Sequence, residues 1–223
     1  MTLREIEIAF RNITDDNEQN YRWPFSAVCA YANKVVNDIC RQARVLKDGS
    51  ITIVITAGTK DYLLDGRIFD VEDEGVKLAT LKSSLKKCSY LDFDADNFSW
   101  ETDTGNPTAF ALDYKTGYLT LNYLPLADDT ARIRAFLMPS KSMANHSDIP
   151  EIPSAYHDFI PEMMCRYAYD VEDAEVLDPG AVKKFYTIGY DRGNPDSYMN
   201  QIINMERAKR PLRRPSTSNG GFF

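Results

Sequence analysis

The stretch FSAVCAYANKVVNDICRQARVLKDGSITIVIT, residues 25–56, carries two hydrophobic periods in succession. Its first part sets Phe25, Val28, Cys29, Ala32, Val35, Val36, Ile39, Cys40, Ala43 and Leu46 at helical spacing, with Lys34, Asn37, Asp38, Arg41 and Arg44 on the other side. That pattern predicts an amphipathic helix, which Asp48-Gly49 is expected to end. From residue 51 the period becomes two: Ile51, Ile53 and Ile55 point one way, and Thr52, Val54 and Thr56 the other, as in a half-buried strand.

Alternation returns in Thr108 to Tyr114, Tyr118 to Leu124 and Thr130 to Met138, separated by turn signals at Gly105-Asn106-Pro107, Lys115-Thr116-Gly117 and Ala127-Asp128-Asp129. A further turn signal stands at Asp65-Gly66. These intervals suit an antiparallel sheet or small barrel. Helical spacing flanks the strands on both sides. Upstream, Thr2 and Glu5 have capping-box spacing before Ile6, Ala9, Phe10 and Ile13, and Pro24 suits the first turn of the second helix. Downstream, beyond Ile149-Pro150-Glu151-Ile152-Pro153, Ser154 can cap a helix carrying Tyr156, Phe159, Ile160, Met163, Met164, Tyr167 and Val171, which Pro161 kinks or restarts. Asp178-Pro179 opens a helix with Val182, Phe185, Tyr186 and Gly189, and another with Tyr198, Met199, Ile202 and Ile203 follows Gly193-Asn194-Pro195.

The expected class is α+β: a helical bundle domain, residues 1–48 and 150–206, interrupted by an inserted antiparallel β-sheet or barrel module, residues 50–139, and followed by a flexible arm, residues 207–223. Charge divides the chain at the same place. The 223 residues hold 26 bases and 33 acids; the last 17 take five bases and no acid, so residues 1–206 carry 21 bases against 33 acids, a formal charge of −12. A body so negative repels phosphate backbones. The arm has Arg207, Lys209, Arg210, Arg213 and Arg214 and ends in Phe222-Phe223, a composition that buries too little to order itself and can fold on an acidic partner.

Chemistry is sparse by comparison. Cys29, Cys40, Cys88 and Cys165 form no CxxC pair and read as buried free thiols. Asp92, Asp94 and Asp96 take positions 1, 3 and 5 of a calcium-like loop with Asp103 at position 12, but Asn97 stands where the loop needs glycine. A strand there would instead make the three aspartates a solvated acidic edge, with Phe93 turned inward. Neither His146 nor His157 has a nominated nucleophile, no phosphate-binding glycine loop is present, and the aromatic residues fall at core positions without interleaved bases. No catalytic residue, cofactor or metal is therefore expected. No stretch approaches the length of a membrane span, which leads to the expectation of a soluble protein made in the cytoplasm.

Several segments together resemble a known family. They are Tyr31 to Cys40, the strand Gly117 to Leu124 ending at Pro125, the strand Ala131 to Pro139, the run Ile149 to Pro153 with Tyr156-His157, and Arg166-Tyr167-Ala168-Tyr169 with the acidic run to Asp178-Pro179. Across most of residues 23–192 the chain resembles the head-to-tail adaptor, or connector, proteins of tailed bacteriophages. The resemblance implies a structural virion protein at the head-tail junction, a homo-oligomeric ring commonly of twelve copies, set between the portal and a tail or nozzle protein and passing DNA without gripping it. It implies, too, that the basic arm reaches the portal, while a longer uninterrupted helix is the family pattern around Gly193-Asn194-Pro195. Two other classes stay open at this stage: a metal-dependent hydrolase using Asp92, Asp94 and Asp96, and a nucleic-acid-binding module acting through the arm.

Overall fold

A computed structural model describes residues 1–18, 21–170 and 178–209. Its elements run α1 (Leu3–Thr14), α2 (Phe25–Ala43), β1 (Lys47–Ile55), β2 (Asp61–Leu63), β3 (Ile68–Leu78), β4 (Ser84–Lys87), α3 (Tyr90–Asp96), β5 (Thr104–Gly105), β6 (Ala109–Ala111), β7 (Tyr118–Leu121), β8 (Leu124–Pro125), β9 (Asp129–Leu137), a 3-10 turn (Ser154–Phe159), α4 (Ile160–Tyr169), α5 (Pro179–Gly189) and α6 (Tyr198–Ala208). The class is α+β.

Most helix starts follow the sequence signals, but Ser154 caps nothing, since Pro153 takes the N-cap position of the 3-10 turn without a side-chain bond, and Pro24 stands at the N-cap of α2, one position before its first turn. The Thr2 hydroxyl accepts from the Glu5 amide at 3.3 Å while the Glu5 carboxylate accepts from the Thr2 amide at 2.7 Å, a complete capping box. Asp178 accepts from the amides of Gly180 and Ala181 to open α5 at Pro179, and Ser197 caps α6. Pro161 starts α4 afresh in its first turn, after the 3-10 turn that Ser154 begins. Between α5 and α6 the helix is broken, from Tyr190 to Ser197, around Gly193-Asn194-Pro195.

The expected end of α2 is corrected. The helix stops at Ala43, with Arg44 left-handed at φ 55°, and Lys47 is already strand. Asp48-Gly49 lies inside β1, at a break in register between Asp48 and Ile51, where the Asp48 carboxylate takes the Ser50 amide. Asp-Gly marks a backbone irregularity there, in the strand instead of at the helix end.

A seven-stranded sheet has the order β1-β9-β3-β4-β6-β7-β2, and β5 pairs with β8 apart from it. Its pairs are antiparallel except β4 with β6, and β5 with β8 is parallel too, so the sheet is mixed instead of antiparallel throughout. The cause is the crossover formed by residues 88–108: α3 carries the chain back to the end of the sheet from which β4 started, as a parallel neighbour requires.

Apolar burial falls into separate clusters. Helical residues Leu3, Ile6, Phe10, Val28, Val35, Ile39, Tyr156, Ile160, Met163 and Ile202 form one, and strand residues Ile55, Val76, Leu85, Phe110, Leu119, Leu121 and Ile133 another. A small third cluster seats Phe93 and Trp100 of the α3 region on Ala109 and Ala111 of β6. Each fully buried large side chain contributes about 1.5–3 kcal/mol, so both main clusters are substantial.

Candidate functional site

The basic arm is rooted in a small polar hub at the end of α6. Glu206 is almost fully buried, and its carboxylate accepts from the Tyr156 hydroxyl at 2.6 Å, from Lys209 Nζ at 2.7 Å and from Lys47 Nζ at 3.1 Å. Lys209 Nζ also donates to the Tyr156 hydroxyl at 2.8 Å. Three parts of the fold meet here: the first residue of β1, the 3-10 turn and the C-terminal end of α6. Burial raises the Glu206 carboxyl, but hydrogen bonds from Lys209, Tyr156 and Lys47 outweigh it and hold the group below the usual carboxylate range. Its bond to Glu206 raises Lys209 correspondingly.

Of the arm residues singled out in the sequence, Arg207 lies in the last turn of α6 and Lys209 caps it. Helix thus extends into what the sequence suggested was the start of the arm. Arg210, Arg213, Arg214, Phe222 and Phe223 lie outside the described residues, as does Val171.

The aspartate run is helical, which corrects the strand reading. Ser89 caps α3 and its amide donates to Asp92 at 2.9 Å, completing a capping box, while Phe93 is buried beneath. Asp94 accepts from the Trp100 indole at 2.7 Å, and Asp103 from the Asn97 side-chain amide at 2.8 Å. Helical geometry separates residues two apart by about 200°, so positions 92, 94 and 96 do not converge on one ion. Among the described residues no group of three His, Cys, Asp or Glu side chains is placed to hold a metal.

Both histidines are occupied structurally. His157 is buried, with Nε2 at 2.9 Å from the Ile152 carbonyl and Nδ1 at 2.8 Å from the Met1 ammonium. Burial lowers its pKa, and the neutral ring then donates from Nε2 and accepts at Nδ1. His146 sits 3.0 Å from the Glu7 carboxylate and stacks on Phe25. All four cysteines are free, and burial pushes the Cys40 and Cys165 thiols up to about 12, which leaves them protonated and unreactive at neutral pH.

Sequence reading missed the tyrosine-carboxylate pairs that join the helices. Tyr167 donates to Asp38 of α2, Tyr198 of α6 to Glu162 of α4, and Tyr156 to Glu206. Helical periodicity marked these tyrosines as core, but nothing local identifies an acid 129 residues away as the partner of Tyr167. Also unread was the buried Arg11, which bridges Glu7 and Asp16 at 2.7 Å each.

The arrangement offers hydrogen-bonded packing and charged surfaces, with no activated nucleophile among the described residues. No helix there is long and apolar enough to cross a membrane. In comparisons with known proteins, the family model described as "SU10 adaptor protein" matches residues 1–215. No curated protein matches the chain.

Proposed function

Because the chain belongs to the SU10 adaptor protein family, we propose that it is a structural adaptor of a tailed bacteriophage, joining head to tail as one copy in a homo-oligomeric ring. The family match across residues 1–215 carries this reading. In the proposed assembly the ring, of twelve copies, sits on the portal, receives a tail or nozzle protein below, and lets DNA through. It is a virion component, made in the host cytoplasm before assembly, and not an enzyme.

Residues 1–48 with 150–206 act as the helical unit of this ring, and residues 50–139 as the module it carries. Their separate apolar clusters support that division. Acidic charge supports the DNA role, since a formal −12 over residues 1–206 repels a passing duplex where a basic lining would hold it. The arm docks on the portal through Arg207, Lys209, Arg210, Arg213, Arg214, Phe222 and Phe223. Lys209 also pairs with Glu206, which anchors the root of the arm.

Negative-stain electron microscopy of the protein, alone and with the portal of the same genome, tests the reading. Rings that stack on the portal, and that fail to stack when residues 210–223 are deleted, are the expected result. Absence of both rings and portal binding overturns it.

A further inference from the structure

Where β1, β9 and β3 pair, the outer face of the sheet carries three bases, Lys77, Arg132 and Arg134, beside the acidic bulge Glu72 to Glu74, although the body of the chain is strongly acidic. Register sets Lys77 directly opposite Arg132, and Arg132 opposite Thr52, while Ile51, Ile53, Ile133 and Val76 point to the inner core. Arg134, two residues along β9, shares the outer face and lays its side chain over Gly49. Like charges directly opposite each other across strands destabilise a sheet, so this juxtaposition is a local cost that the fold alone does not require. Glu72 stands 3.6 Å from Arg134, and Arg132 donates to the Gly49 carbonyl; Lys77 has no hydrogen-bond or ion-pair partner among the described residues. At the margin of this face, on edge strand β1, Val54 is 72% exposed.

Its complement lies on the α3 crossover, which packs on β6 of the same sheet. Directly after α3, Phe98 is 93% exposed, the most exposed large apolar side chain among the described residues. Exposed acids flank it in sequence: Asp94 and Asp96 of α3 and Glu101 in the following turn. Asp96 has no partner among the described residues. An aromatic anchor in a carboxylate rim is a fit for an apolar residue bordered by cations.

We infer that these two surfaces dock on each other between neighbouring copies: the Phe98 turn and acidic α3 of one chain seat on the Lys77-Arg132-Arg134 face and Val54 of the next. This inference rests on the ring reading and names its contact. The patches are different surfaces, one on β1, β9 and β3 and the other on the crossover beside β6, so the contact is heterologous, the type that closes rings. A second copy is favoured over nucleic acid as the occupant because the complementary charge and the apolar knob are both present on this chain. Covering the basic face also removes it from DNA, leaving the acidic surface to line the passage.

The test is a charge exchange in the full-length protein, read by mass photometry and negative-stain microscopy at low and high salt. The double reversal Lys77→Glu with Arg132→Glu, and separately Asp96→Lys with Phe98→Ser, are expected to raise the concentration needed for assembly by about tenfold or more. Circular dichroism should keep its wild-type form and the melting temperature should change little, because all four side chains are exposed and the one fold contact removed is the Arg132 bond to the Gly49 carbonyl. Mixed together, the two variants should recover part of the lost assembly, since the reversed face of one meets the reversed rim of the other. Rings that form equally well from either variant overturn the inference and leave the adaptor reading standing. Loss of assembly without recovery in the mixture overturns it as well. Tight duplex DNA binding by wild type that Lys77→Glu with Arg132→Glu abolishes reassigns the face to nucleic acid. A wild-type chain that assembles neither alone nor with portal sinks both readings.

Discussion

Asn33 of α2 holds both backbone polar groups of Met143: its Oδ1 accepts from the Met143 amide at 2.9 Å and its Nδ2 donates to the Met143 carbonyl at 2.9 Å. The same Nδ2 also donates to Cys29 one turn back, which fixes the side-chain orientation. This clasp fastens the segment after β9 to the longest helix, at the point where the chain returns from strands to helices.

Replacing Asn33 with Ala should therefore lower stability by about 2 kcal/mol, because two backbone groups of a buried residue lose their partners. Asn33→Asp should fall between, keeping the acceptor for the Met143 amide but presenting a carboxylate to two carbonyls. Urea midpoints followed by circular dichroism measure both. A wild-type midpoint for Asn33→Ala would show that water replaces the clasp without cost.

Glu206 gives a prediction with a defined pH sense. Its carboxyl lies below its ordinary value of 4.5 in the folded chain. The stabilisation is thus fully present above that value and is lost as pH falls through the lowered one. Glu206→Gln should be about 1–2 kcal/mol less stable than wild type at pH 7, with the gap closing progressively below the ordinary carboxylate range. Parallel melting curves for the two proteins would expose a hub that contributes nothing.

His157 acts in a higher window. Its pKa is depressed from 6.5, chiefly by burial. Below 6.5 the unfolded chain binds a proton that the folded chain resists, so stability falls as pH drops from there toward the depressed value. His157→Gln should cost about 1 kcal/mol at pH 8, since the Ile152 carbonyl loses a well-placed donor. It should also flatten the slope below 6.5. Denaturant midpoints taken every half pH unit separate this slope from that of Glu206.

Local signals made the helices legible. Thr2 with Glu5, Asp178 before Pro179, and Pro161 each act within a few residues, and each sets a boundary as expected. Strand β3 was hidden because Glu72, Asp73 and Glu74 interrupt its alternation. They fall in a bulge between Val71 and Val76, with Glu74 at φ 56° and Gly75 so close to the Glu72 carbonyl that a Cβ would meet it at 2.6 Å. The Glu206 hub was beyond reach for another reason: Lys47, Tyr156 and Glu206 come from three distant segments, and charge patterning along a chain carries no information on such pairing. Helix α3 is the instructive failure. In LDFDAD, residues 91–96, alternate residues are apolar or small, which fits a strand, but Ser89 and Asp92 form the capping box that nucleates a helix and decides the outcome.

That capping box yields the last prediction. If α3 is held by Ser89 and by Asp94 on the Trp100 indole, Asp92 and Asp94 are structural and calcium or manganese should leave the melting temperature unchanged. Ser89→Ala should lower stability by about 1 kcal/mol through loss of the cap. Asp94→Ala should change the emission of Trp100, which is buried and donates to this carboxylate, with or without metal present. The other tryptophan, Trp23, donates to the Ala168 carbonyl in the helical core and supplies an internal reference. A metal-dependent rise in melting temperature that Asp94→Ala removes would contradict this structural role and require the three carboxylates to rearrange out of the helix.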